Sequence, residues 1–212
     1  MKPISQLIAE ELLRIKAVKL QPNNPFTWAS GWRSPIYCDN RKTLSFPETR
    51  SLIKRELAAI IRAKYPQAEV IAGVATGAIA QGALIAEELN LPFVYVRSAP
   101  KDHGLENLIE GSLAAGQKVV VVEDLISTGG SSIKAVEALR SGGGETLGMV
   151  AIFTYGFPAA TELFAKNNVE LSTLSNYQTV VETAAEINYI SPNDIAALQE
   201  WRKNPAEWDV NK

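Results

Sequence analysis

Residues 118–132 read KVVVVEDLISTGGSS, and the order of side-chain types in this stretch limits the possible folds more than any other part of the chain. Val119 to Val122 form an unbroken β-branched run without polar alternation, which suits a strand covered on both faces in the middle of a parallel sheet. Glu123 and Asp124 are expected to end that strand, because two adjacent carboxylates left unpaired in a core carry a heavy desolvation cost. Both are therefore placed at the strand's C-terminal lip, facing water or a ligand, where open α/β sheets bind small molecules. Beyond them Ser127 to Ser131 form a small, hydroxyl-rich loop. Ile133 to Arg140 predict a helix with Ile133, Val136 and Leu139 on one face, ending at Gly142 to Gly144.

A strand, a Gly/Ser/Thr turn and a helix start bring free backbone N–H groups and the positive end of a helix dipole to one point, a ready site for an anion such as phosphate. Ionised carboxylates accept hydrogen bonds and donate none, so Glu123 and Asp124 suit the vicinal hydroxyls of a sugar joined to that phosphate. A ribose 5-phosphate satisfies both halves. No G-x-x-x-x-G-K-[ST] occurs, and no G-x-G-x-x-G follows this strand. The alternative reading is a plain βα turn with solvated acids.

With 212 residues, 46% of them hydrophobic and 21% charged, the chain can bury a substantial core and is expected to form one domain with an appendage. A formal net charge of −2 argues against a large nucleic-acid-binding surface. Cys38 is the sole cysteine, so no intrachain disulfide or thiolate metal cluster is possible. His103 is the sole histidine, which excludes multi-histidine zinc sites and leaves a Ser-His-Asp triad only if His103 serves. Without a signal pattern or an apolar run near 18 residues, a soluble cytoplasmic protein with no membrane partner is expected.

Along the chain, Ile4, Leu7, Ile8, Leu12 and Ile15 predict an amphipathic helix over 4–16. Lys19 to Arg41, with three prolines and two tryptophans, cannot continue it and reads as a strand-and-loop hood. Within the hood Trp28, Trp32 and Tyr37 are candidate core or subunit-contact residues, or a cover for a planar ligand. Ser45 to Glu48 has capping-box spacing and starts a helix running to about Lys64. Val70 to Ala75 predicts a buried strand, Thr76-Gly77 a turn, and Ala78 to Leu89 a helix in which Gly82 allows close packing on the sheet. Phe93 to Val96 is the next strand, closed by Arg97. The long segment that follows carries Arg97, Lys101 and His103; its length and charge fit a lid closing on a polyanion. Strands over 146–153 and 169–174, helices over 158–166 and 177–187, and a last helix capped by Ser191 with Ile195, Leu198 and Trp201 on one face complete the expected fold.

VVVVEDLISTGGSS resembles the ribose-phosphate motif of type I phosphoribosyltransferases, and R-x-x-x-K-D-H-G at Arg97 to Gly104 resembles the flexible loop of the orotate phosphoribosyltransferases within them. The hood FTWASGWRSPIYCDNR and the turn GVATG, similar to the family's pyrophosphate loop, occur in the family's order, so the likeness covers nearly all of the chain. It implies an α/β fold with a central, mostly parallel sheet flanked by helices and a small N-terminal hood. The organisation is then a single domain over 1–212, with the hood mainly in 1–45, the core in 46–190 and the C-terminal helix in 191–203.

The resemblance further implies transfer of the ribosyl 5-phosphate group from 5-phosphoribosyl 1-diphosphate (PRPP) to orotate. A transferase for another base, or a non-catalytic effector-binding regulator on the same fold, are the alternatives. Lys101, Arg97, His103 and Asp124 are the catalytic candidates. Arg97, Lys101, His103, Glu123, Asp124, Leu125, Ile126, Ser127, Thr128, Gly129, Gly130 and Ser131 are the candidates for PRPP, with Ser127 and the hood near Ile36 and Tyr37 for orotate. Mg²⁺ is expected, bound mainly through PRPP and water with no dedicated protein cage. A homodimer is implied, the lid from Arg97 to Gly111 acting on the neighbouring subunit's site. Three positions depart from lysines found in some members: Ala29, Gly77 and Ser98. Their loss places more of the charge near the diphosphate on Lys101.

Overall fold

The computed structural model describes residues 2–28, 31–99 and 108–208. The chain divides into two compact units, Met1–Thr43 with Ser175–Lys212, and Leu44–Leu174. The second grouping is not evident from sequence, which assigned residues up to 190 to the core.

The first unit begins with α1 (Ile4–Arg14), which buries Ile8, Ala9, Leu12 and Leu13. It ends two residues before the expected limit, and Lys16 turns the chain with φ 56°. β1 (Val18–Leu20), β2 (Phe26–Thr27), β3 (Arg33–Ser34) and β4 (Ile36–Cys38) follow as two antiparallel pairs, β1 with β4 and β2 with β3.

The second unit is a layered α/β structure. α2 (Pro47–Lys64) has Phe46 at its N-cap and Pro47 in its first turn, and no side chain caps it. The expected Ser45–Glu48 box therefore does not form: Ser45 instead closes a 3-10 turn over Asn40–Ser45. Then come β5 (Val70–Val74), α3 (Ile79–Leu89), β6 (Phe93–Val96), β7 (Ile109–Glu110), β8 (Lys118–Ile126), α4 (Gly130–Ser141), β9 (Glu145–Thr154), α5 (Pro158–Lys166) and β10 (Leu171–Asn176). The sheet order is β10-β9-β8-β5-β6-β7, with β9, β8, β5 and β6 parallel and β7 antiparallel to β6. β10 starts two residues later than the sequence predicts.

Val119 to Val122 are fully buried, as a strand covered on both faces requires. Val119 and Val121 share one core cluster with Val70, Ala72 and α4's Ile133, Val136 and Leu139. Gly82 permits the close helix–sheet approach expected of it: a Cβ there would lie 2.8 Å from the Phe93 ring. β8 does not end at the acids. It continues to Ile126, with Glu123 opposite Ala151 and Leu125 opposite Phe153. Chain order reverses between β5 and β8, since β5 leads outward to β6 and β8 outward to β9 on the other side. The C-terminal ends of those two strands form the crevice where a doubly wound sheet receives ligands.

The chain then returns to the first unit through α6 (Tyr177–Glu186), capped by the Asn176 side chain, and α7 (Pro192–Lys203), where Ser191 and Asp194 form a capping box. Trp201 of α7 is fully buried. Its Nε1–H donates to the Arg33 carbonyl at 3.1 Å, and its ring meets Trp28 edge-on at 5.7 Å.

Candidate active site at the switch point

β8 passes into α4 through Ser127, Thr128 and Gly129. Gly129 is the N-cap, in the left-handed region at φ 82°, and a Cβ there would lie 2.8 Å from the Phe164 ring; both conditions call for glycine. No side chain caps α4, so its first N–H groups face outward at the positive end of a twelve-residue helix. The side chains of Ser127, Thr128 and Ser131 make no hydrogen bond to other described residues. This loop, Ser127 to Ser131, has the donors a phosphate needs. Ile126 differs from the rest of the predicted set: its side chain is fully buried and its carbonyl accepts the Tyr155 N–H at 3.0 Å, while Leu125 beside it is partly exposed.

The two acids occupy different surroundings. Asp124 is half-buried, and its carboxylate packs against Gly77, where a Cβ would lie 2.5 Å from its Cγ and both oxygens. Gly77 therefore brings the turn after β5 into contact with the acid at the end of β8, although 47 residues separate them. The sequence placed Gly77 in the turn similar to the family's pyrophosphate loop and at the position of a missing lysine; here it also makes room for Asp124. In the same turn the Ala75–Thr76 peptide is cis.

Glu123 does not face solvent at the lip as expected. It is 5% exposed; its Oε2 accepts the Ser132 hydroxyl and its Oε1 the Asp124 N–H, both at 3.0 Å. Burial, and next the negative charge of Asp124, push its carboxyl well above the usual carboxylate range. Sequence reasoning missed Ser132 because a bond spanning nine residues leaves no local pattern.

Arg97 stands at the foot of the predicted lid. Its N–H donates to the Leu108 carbonyl at 2.8 Å, extending the β6–β7 ladder, so both ends of the segment are tied together. Its Nη1 lies 3.6 Å from Glu110 Oε1, which partly balances its charge. Lys101 and His103 lie outside the described residues, as does Ala29; Ser98 is exposed. A cleft of about 790 Å³ opens beside these elements, lined by Val74, Ala75, Arg97, Ser131 and Lys134 among others, a volume typical of small-molecule sites. In the hood, Ile36 is buried, its carbonyl accepting from Trp28 Nε1 and Ser34 Oγ, whereas Tyr37 is exposed. No group of three or more metal-ligating side chains occurs among the described residues, and no helix among them is long and apolar enough to cross a membrane.

A crevice at the reversal of a doubly wound sheet, with an uncapped helix start and a carboxylate at its rim, fits a phosphoribosyltransferase, and the model of the phosphoribosyl transferase domain matches residues 48–186. An orotate phosphoribosyltransferase of Phocaeicola vulgatus is 64% identical over 212 residues, covering the whole of both chains. Among solved structures, the orotate phosphoribosyltransferase of Aeropyrum pernix is 30% identical with TM-score 0.76, covering 87% of this chain and 99% of that one. The UMP synthase of Leishmania donovani is 27% identical with TM-score 0.79; the match covers 94% of this chain and 42% of that longer one. The chain belongs to the orotate phosphoribosyltransferase family.

Proposed function

We infer that this chain transfers the ribosyl 5-phosphate group of PRPP to orotate, giving orotidine 5′-monophosphate and diphosphate. The observation that carries this reading is the meeting, at one sheet edge, of the α4 N-terminus, the Asp124 carboxylate and the Gly77 turn. The N–H groups and hydroxyls of Ser127 to Ser131 hold the 5′-phosphate, Asp124 takes the ribose hydroxyls, and the Val74–Gly77 turn faces the diphosphate. The choice of orotate rests on the named relatives at high identity, and the family resemblance assigns Ser127 to the base.

As the bond from C1 to the diphosphate oxygen breaks and the bond from orotate N1 to C1 forms, the N1 proton leaving to the diphosphate or water, positive charge grows on the ribose and negative charge on the leaving group. Catalysis is chiefly electrostatic. Asp124 favours the cationic ring. Lys101 and His103 serve the diphosphate, with Arg97 at the foot of the lid contributing what Glu110 leaves unbalanced. A Mg²⁺, carried mainly by PRPP oxygens and water, would neutralise diphosphate charge. Lid closure excludes water that would otherwise capture the ribosyl cation. We place the lid of a second copy over each site in a homodimer. We place the enzyme in the cytoplasm, with its charged substrates.

The test is orotate absorbance followed with purified protein, PRPP and Mg²⁺. Consumption of orotate with release of diphosphate is expected. Turnover of adenine or hypoxanthine in its place would overturn the choice of base, and PRPP binding without turnover of any base would overturn the assignment as an enzyme.

A further inference from the structure

Arg97 and Glu110 stand on neighbouring strands, and the charge of each bears on what the other can bind. We propose that Glu110 is a positioning residue for Arg97: it turns one corner of the guanidinium inward and so presents the opposite edge to the diphosphate. This rests on the reading of Arg97 as a diphosphate contact and extends it to a residue that acts without touching substrate.

Strand register brings the two side chains together. β6 and β7 run antiparallel with Tyr95 opposite Glu110, and the Arg97 N–H continues the ladder to the Leu108 carbonyl. Side chains alternate along a strand, so Arg97 shares a face with Tyr95 and lies diagonal to Glu110, within reach of two long side chains. The 3.6 Å between Arg97 Nη1 and Glu110 Oε1 is an ion-pair distance, too long for a hydrogen bond. Nη1 is itself buried and makes no hydrogen bond among the described residues. Glu110 therefore directs the guanidinium by charge without consuming its donors. The side chains are only 31% and 25% exposed, so water screens their attraction less than it would on an open surface. Arg97 also lines the large cleft beside the Val74–Ala75 turn. With Nη1 turned toward Glu110, the planar fork leaves its Nε–Nη2 edge for an anion, the geometry in which a guanidinium grips two phosphate oxygens. Ser98 beside it brings no charge, which makes the direction of Arg97 matter more.

The test is calorimetric titration of the full chain with inorganic diphosphate and Mg²⁺, in a double-mutant cycle of Glu110→Gln and Arg97→Ala. Removing a negative charge near a polyanion tightens binding by itself, so the sign of the effect separates positioning from simple repulsion. Glu110→Gln is expected to weaken diphosphate about tenfold, the loss of one charge-assisted hydrogen bond. Glu110→Asp keeps the charge and is expected to lose less. In the Arg97→Ala background the same Glu110→Gln change should alter binding by less than about twofold, because the group it directs is gone. Unchanged or tighter binding in Glu110→Gln alone would overturn the proposal, as would a tenfold loss that persists without Arg97. Failure of the unaltered protein to bind diphosphate would overturn both this proposal and the reading of Arg97 beneath it. Absence of orotate turnover, with the diphosphate titrations behaving as expected, would count against the function proposed above and leave the role of Glu110 standing.

Discussion

Replacing Gly77 by alanine adds one methyl group where the structure has no room for it. The new Cβ would lie 2.5 Å from the Asp124 Cγ and both of its oxygens, whereas ordinary contact begins at 3.4 Å, so the carboxylate must retreat by about 0.9 Å. Gly77 is not among the glycines at positive φ, so alanine adds no backbone strain there. The obstructing atoms are the end of a half-exposed side chain, which can swing away at a stability loss of about 1 kcal/mol or less. Function is less tolerant. A displacement near 1 Å of a group that must meet the ribose costs roughly 10²-fold, about 2.7 kcal/mol of transition-state stabilisation. Initial rates with orotate and PRPP varied, beside urea unfolding of the same preparation, separate the two effects. A kcat/KM within threefold of the unaltered protein, at unchanged stability, would refute the claim that Asp124 is held in working position by the Gly77 turn.

Other substitutions probe neighbouring parts of the account. The raised Glu123 carboxyl keeps its proton in the folded state above its ordinary value of 4.5, so its contribution to stability is full below that pH and is lost as pH rises through the folded-state value. Glu123→Gln should therefore gain stability relative to the unaltered protein as pH rises above about 4.5, in urea titrations across pH; a parallel pair of curves would contradict the burial of an acid there. Gly129→Ala must place a side chain at φ 82° and against Phe164, and should lose at least about 1 kcal/mol of stability together with phosphate affinity. Trp201→Ala removes a fully buried ring and its bond to the Arg33 carbonyl; a loss of about 3–5 kcal/mol is expected by thermal or chemical unfolding.

What the sequence disclosed, it disclosed through local patterns. The valine run, the Gly/Ser/Thr loop and the apolar spacing of Ile133, Val136 and Leu139 place β8 and α4 within a few residues, because each pattern lies within one element. The error at Glu123 came from a sound premise, that an unpaired acid is expelled from a core, applied where the acid is paired: its partner, Ser132, lies nine residues on in another element. Gly77 likewise owes its importance to Asp124, a contact no spacing rule contains. β7 is two residues long and carries no periodicity to read. Ser45 matched a capping motif in letters, yet the 3-10 turn that precedes α2 claimed it first.

A crystal structure with PRPP and Mg²⁺ bound tests the core of the account most directly. It should show the 5′-phosphate about 2.7–3.2 Å from the N–H groups of the loop that opens α4 and a ribose hydroxyl on Asp124. A ribose held away from Asp124 would contradict it.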